Sequence, residues 1–151
     1  MSQMKQKTKT QPMGHGLVAS HVATEKPDPS PDQVVRVVQA GLDFAELEAL
    51  RDQLDLPLDR LTALLGLARA TVHRRKAGGR LTSDESDKVV RFARLLGHAV
   101  HLFGSIEDAR LWLKSPQRGL GGAVPLDYAQ TEAGAREVEN LLGRIDYGVY
   151  S

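Results

Sequence analysis

The 151-residue sequence has no cysteine, few aromatic residues and almost no excess charge. Without cysteine it has no disulfides, no thiolate zinc sites and no thiol nucleophile, which fits a reducing compartment, and we expect a cytoplasmic protein. It also lacks an apolar run long enough to span a membrane and an apolar secretory signal near its first residues. Because the net charge is only +1, affinity for a polyanion must come from basic residues gathered on one face.

The first thirty residues are rich in Gln, Lys, Thr, Ser and Pro and offer few large apolar side chains to a core. This composition predicts a disordered arm over residues 1–30. From Ser30 onward apolar residues recur at helical spacing, and the helices are bounded by capping residues, glycine or proline. We therefore predict an all-α chain with two further parts, residues 31–81 and residues 82–151.

Residues 58–80 have the spacing of a helix-turn-helix motif. Apolar residues lie on one face of a first helix, Gly66 interrupts the pattern, and Val72 resumes it on a second, short helix. The apolar positions of the first helix are Leu61, Leu64 and Leu65. In this motif the first helix packs against the core and the second is presented to the major groove of DNA.

The second helix of this motif carries several basic residues, and no Asp or Glu occurs between Asp59 and Asp84. Such a local excess of positive charge suits phosphates. Leucine-rich helix pairs with a glycine turn also occur in domains that never touch DNA, and the basic run is what favours DNA binding here. The predicted contacts to base edges are Arg69, His73 and Arg74. The predicted phosphate contacts are Arg75, Lys76 and Arg80.

The longest predicted helix begins near Thr82 and reaches Phe103. Its apolar surface is broad enough to suggest burial on more than one side, as at a dimer interface. His98 and His101 lie at helical spacing and could reach one metal ion, but no carboxylate is near them in sequence, so we favour a hydrated polar face without a metal. The glycines after Leu120 lack the preceding strand and Lys-Ser/Thr pair of a nucleotide loop, which favours a structural turn.

Residues in both halves of the chain match the motifs of one known protein family. The C-terminal domain of the Xre/MbcA/ParS antitoxins is matched by Pro116, Leu120, Gly121, Gly122, Pro125, Leu126, Thr131, Glu132, Gly134, Ala135, Val138, Leu141, Leu142, Gly143, Arg144, Ile145, Gly148, Val149, Tyr150 and Ser151. The Xre-type helix-turn-helix is matched by Leu61, Leu65, Gly66, Leu67 and Val72. Thr62 stands where alanine is common, and Ala68 stands where a serine usually caps the second helix. Together the two matches extend from about Ser30 to Ser151.

This resemblance implies a type II toxin-antitoxin system. The chain would dimerise, bind a RES-domain toxin that degrades NAD, and repress their shared operon. The resemblance also implies that the C-terminus covers or fills the active-site region of the toxin. The matching positions are Arg144, Tyr147, Tyr150 and Ser151, with Tyr147 included for its expected exposure. The alternative is that the two tyrosines pack against the same chain.

A symmetric dimer would place two recognition helices on half-sites related by a two-fold axis, which predicts a palindromic operator. No catalysis and no cofactor are expected, because no nucleophile, base and orienting group occur in a recognisable arrangement. The alternative function is a stand-alone dimeric transcription regulator whose C-terminal domain only dimerises or senses a ligand.

Overall fold

The computed structural model describes residues 16–22 and 29–148. The helices in these ranges are α1 (Leu17–Val22), α2 (Pro31–Ala40), α3 (Phe44–Leu54), α4 (Leu58–Leu64), α5 (Arg69–Gly78), α6 (Ser83–Phe103), α7 (Ile106–Leu113), α8 (Pro125–Tyr128) and α9 (Glu132–Asp146), with a 3-10 turn at Arg118–Leu120. This arrangement confirms the predicted all-α class. In the described ranges, no helix is long and apolar enough to cross a membrane.

Helix α6 lies at the centre of the fold. Its first turn is closed by reciprocal bonds between Thr82 and Glu85, and Gly104, with φ of 85°, ends the helix. Among the described residues, the helices with the most extensive contacts to it are α1, α2, α3, α7 and α9. Val89, Phe92 and Leu96 are completely buried between these helices. The broad apolar surface predicted for α6 is therefore covered by the same chain, and it gives no evidence of a dimer interface.

Helix α1 lies in the segment that was predicted to be disordered. Val18 and His21 are buried, with 1% and 6% of their surface exposed. The carboxylate of Glu46 on α3 accepts hydrogen bonds from the backbone N–H groups of Leu17 and Val18, both at 3.0 Å. The prediction of a disordered arm is thus wrong for residues 16–22, because a partner distant in sequence caps this short apolar helix. Residues 1–15 and 23–28 of the arm lie outside the described residues.

A glycine allows α1 to pack closely on α6. A Cβ built at Gly97 would lie 2.1 Å from the carbonyl oxygen of His21. Any larger residue at this position would push the two helices apart. Gly97 therefore sets the depth at which α1 is held.

Polar contacts join the two halves of the chain. Arg110 and Lys114 at the end of α7 donate hydrogen bonds to the carbonyl oxygens of Gln53 and Asp55, at 2.7 and 2.8 Å. These carbonyls belong to the last turn of α3, where helices leave backbone acceptors without partners. The first helix of the helix-turn-helix is also linked to the second half, by an ion pair of 2.6 Å between Arg60 and Asp127.

Candidate DNA and partner interfaces

The helix-turn-helix consists of α4, a turn at Gly66 and α5. Leu61, Leu64 and Leu65 are buried, as the sequence pattern predicted. Gly66 has φ of 72°, a left-handed conformation that glycine adopts without strain. Thr62 is also buried at the position where alanine is common, and its hydroxyl donates to the carbonyl oxygen of Asp59 at 3.2 Å. This bond explains how the core accepts a polar group there.

Helix α5 presents its basic side chains on the outside of the motif. Val72 is its one buried residue and anchors it to the core. The Arg69 side chain, in the first turn, is 81% exposed. Four further predicted DNA contacts, His73, Arg74, Lys76 and Arg80, are also exposed, whereas Arg75 is half-buried. Ala68 stands where a serine usually caps the second helix, and in the structure α5 accordingly has no side-chain cap.

Folding brings acidic residues from outside the basic run to three of its members. Asp59 lies 3.8 Å from Arg69, Glu85 lies 2.7 Å from Arg75, and Asp43 lies 3.3 Å from Arg80. Arg80 also donates to the carbonyl oxygen of Gly41. The Asp59–Arg69 pair is largely exposed and contributes little, so a phosphate or a base can replace the acid. Arg74 and Lys76 have no carboxylate at ion-pair distance in the part of the chain that the structure describes.

The candidate partner surface is at the end of α9. Thr131 caps this helix, and its inner side buries Val138, Leu141 and Leu142 as predicted. Arg144 is exposed on the outer side, and Tyr147 has 84% of its surface exposed. A tyrosine this open is available for a partner. The other two residues predicted to bind the toxin, Tyr150 and Ser151, lie outside the described residues.

Two exposed apolar side chains in the second half were missed by the sequence reasoning. Leu111 on α7 is 67% exposed, and Tyr128 at the end of α8 is 41% exposed. The helical period gave a signal for Leu111, because it lies opposite the buried Ala109 and Leu113 on the same helix. No comparable signal existed for Tyr128, which follows a helix of only four residues.

A groove of about 770 Å³ separates α2 from α6 and α9. The apolar wall of this groove consists of Val34, Val35 and Val38, and its polar side includes His98 and His101. Within residues 16–22 and 29–148, no three His, Asp or Glu side chains are grouped so that they could hold a metal ion.

Comparison with known proteins assigns a description to each half. Residues 33–94 match an antitoxin Xre-like helix-turn-helix domain, and residues 98–148 match the antitoxin Xre/MbcA/ParS C-terminal toxin-binding domain. Helix α6 contributes to both matched regions.

Similar proteins support the same description along most of the chain. The sequence is 34% identical to the Antitoxin Xre of Photorhabdus laumondii over 127 residues, which cover 83% of this chain and 86% of that protein. It is 32% identical to the Antitoxin Xre of Yersinia enterocolitica over 120 residues, or 78% of this chain and 81% of that protein. A Sphingobium protein named Prs ADP-ribosylating antitoxin is 26% identical over 132 residues, or 81% of this chain and 83% of that protein. With a helix-turn-helix domain followed by a toxin-binding domain, and with relatives aligned over most of its length, this chain belongs to the Xre family of antitoxins.

Proposed function

We propose that this antitoxin neutralises a RES-domain toxin that degrades NAD and, as a homodimer in the cytoplasm, represses the operon encoding both proteins. The observation that carries the proposal is the combination, in one chain, of an exposed basic recognition helix and a domain described as toxin-binding. In this proposal residues 31–81 bind the operator, and residues 82–151 dimerise and bind the toxin. The RES identity and the NAD chemistry rest on the family resemblance.

The proposed DNA contact is made by α5. Arg69 is in the first turn of this helix, the part that contacts base edges in helix-turn-helix proteins. His73 and Arg74 follow about one turn later and are exposed, which suits contacts to base edges as well. Lys76 is exposed without an acidic partner among the described residues, which suits a phosphate contact. Two copies related by a two-fold axis would read a palindromic operator.

The proposed toxin contact is binding without catalysis. Tyr147 and Arg144 offer an aromatic surface and a charge at the open end of α9. Aromatic residues and arginine are enriched in protein interfaces because they combine apolar area with directed hydrogen bonds. A segment that covers the active site of an enzyme needs only to exclude its substrate, so the antitoxin requires no catalytic group and no cofactor.

Two single substitutions test the two activities separately. The antitoxin is co-expressed with the product of the neighbouring gene, and cellular NAD and repression of a reporter driven by the operon promoter are measured. We expect Tyr147→Ala to reduce protection of NAD while repression by the free antitoxin remains. We expect Arg74→Ala to reduce repression while protection of NAD remains. Each variant is the matched control of the other, since both side chains are exposed and neither supports the core.

Other results would contradict the proposal. If the chain represses the promoter but no second protein co-purifies with it, it is the stand-alone regulator. The name of the Sphingobium relative attaches ADP-ribosylation to that protein. Analysis of the reaction products can distinguish ADP-ribosylation from NAD hydrolysis as the activity of the toxin that this chain binds. Hydrolysis of NAD releases nicotinamide and free ADP-ribose, whereas transfer leaves ADP-ribose attached to a protein. Modified protein in cells expressing the unprotected toxin would overturn the assignment of NAD hydrolysis.

A further inference from the structure

An ion pair joins the recognition helix to the central helix. The Arg75 Nε donates a hydrogen bond to Glu85 Oε1 at 2.7 Å. The same carboxylate oxygen accepts the backbone N–H of Thr82 at 2.9 Å. The Glu85 side chain is 10% exposed and that of Arg75 is 25% exposed. Arg75 is thus the least accessible of the six basic residues predicted to contact DNA.

The surroundings of this pair keep both groups charged. Burial by itself raises the pKa of the Glu85 carboxyl, but the hydrogen bonds from Arg75 and Thr82 and the charge of Arg75 outweigh burial, so the pKa lies below its ordinary value. The hydrogen bond to Glu85 raises the pKa of Arg75 in turn. If Arg75 moved to a phosphate, Glu85 would remain as a poorly solvated charge without its partner. That loss opposes any phosphate contact that would draw Arg75 away from Glu85.

The other contacts that hold α5 are the burial of Val72 and bonds near its C-terminal end, where Arg80 contacts Gly41 and Asp43. Val72 is its one buried side chain, and the carbonyl oxygen of Gly79 at its end accepts the N–H of Phe44 at 2.9 Å. Arg75 is three residues after Val72, so the two side chains leave the helix on the same face. The pair with Glu85 therefore adds a directional attachment beside an apolar one, and it restricts rotation of α5 about its own axis.

We infer that Arg75 and Glu85 position the recognition helix. Arg75 was predicted from the sequence to contact a phosphate, and in this inference it makes no such contact. The inference rests on the proposed binding of operator DNA. Base contacts require defined distances and angles, whereas phosphate contacts tolerate small rotations of the protein. Release of the pair should therefore weaken the choice between DNA sequences and leave the general attraction to DNA in place.

The experiment compares binding to two duplexes over a range of salt concentrations. One duplex is taken from upstream of the gene for this chain, and the other is a scrambled sequence of equal length and composition. The first variant is Glu85→Gln, which keeps an oxygen for the Thr82 N–H and removes the charge that pairs with Arg75. The second is Arg75→Met, which removes the guanidinium and keeps much of the apolar stem. We expect both to lose on the order of ten-fold in affinity for the upstream duplex. In Arg75→Met, affinity for the scrambled duplex and the salt slope should stay at the wild-type values, because the inference assigns no phosphate contact to Arg75.

Lys76→Ala is the matched control, since Lys76 is the exposed neighbour of Arg75. It should lower affinity for both duplexes and reduce the salt slope by about 0.9 for each lost phosphate contact. Arg75→Lys keeps a cation opposite Glu85 and should recover part of the preference for the upstream duplex. A role in bulk packing alone would not predict this recovery.

Three results would contradict the inference. A reduced salt slope in Arg75→Met would identify Arg75 as a phosphate contact, and an unchanged duplex preference in Glu85→Gln would remove the positioning role. These two results leave the proposed repression intact. If the wild-type chain shows no preference for the upstream duplex, the proposed repression fails and the inference fails with it. Thermal unfolding of each variant shows that binding is measured on folded protein, and Glu85→Gln decides the matter if Arg75→Met does not fold.

Discussion

Two glycines of helix α9 have opposite surroundings. A Cβ built at Gly134 would lie 1.7 Å from the carbonyl oxygen of Tyr128, whereas a Cβ at Gly143 would have no neighbour within 4 Å. Gly134 is therefore required by the close approach of α8 to α9. Gly143 fulfils no such requirement, and glycine costs about 1 kcal/mol relative to alanine inside a helix.

We expect Gly143→Ala to raise the free energy of unfolding by about 1 kcal/mol, since alanine narrows the freedom of the unfolded chain. We expect Gly134→Ala to lower it by about 1–3 kcal/mol, because a backbone atom must move to admit the methyl group. Chemical denaturation measures both changes, and the second variant serves as the control for the first. Stabilisation by alanine at both positions would contradict the close contact between α8 and Gly134.

Hydrogen bonds that cap a helix N-terminus could be predicted where the capping side chain and the N–H group are close in sequence. Thr82 and Thr131 cap their helices through bonds to N–H groups three residues later, as their spacing predicted. Glu46 caps α1 from 28 positions away, and no local spacing could reveal this contact. The same limit applies to Glu85 and Arg75, because they are ten positions apart in sequence and separated by a turn. Residue roles that depend on tertiary contacts therefore required the structure.

At the scale of elements, α1 is the least expected part of the fold. It has only six residues, and a helix this short is not stable alone in water. The contacts that hold it in place include the burial of Val18, the carboxylate of Glu46 and the close approach at Gly97. The stability of α1 is thus provided by α3 and α6.

We expect Val18→Ala to lower the free energy of unfolding by about 2 kcal/mol, the combined effect of lost apolar burial and a small cavity. Val35→Ala on α2 is the matched control, since Val35 is 50% exposed, and it should change stability by no more than about 0.5 kcal/mol. Urea denaturation compares the two variants. Equal effects would show that α1 is not docked on α6 in solution.

The elements after Ser30 were predicted well because their signals are local. The start of α2 combines the caps Ser30 and Gln33 with Pro31, and its end at Gly41 has φ of 90°. The recognition helix was found from the turn at Gly66 and the return of apolar character at Val72. The missed element, α1, has too few apolar residues to show a helical period. Its neighbours in sequence share the composition of a tail.

At the scale of the whole molecule, the two halves of the chain share one hydrophobic core. Helix α6 has 21 residues, is about 31 Å long, and supplies core residues to both halves. Arg110 and Lys114 complete the end of α3, and Arg60 pairs with Asp127 across the same boundary. The buried apolar residues of both halves belong to one core cluster, which includes Val89, Phe92 and Leu96 of α6.

We therefore expect a core substitution in one half to destabilise both. Leu113→Ala on α7 removes a fully buried side chain and should lower the free energy of unfolding by about 3 kcal/mol. The free energy of opening, measured by hydrogen exchange, should then fall by the same amount in α3, α4 and α9, because all three open in one cooperative transition. Leu111→Ala, two positions earlier and 67% exposed, should leave exchange unchanged throughout. If Leu113→Ala makes exchange faster only in α7 and α9, the two halves do not unfold together. Toxin binding could then alter the second half without any effect on the recognition helix.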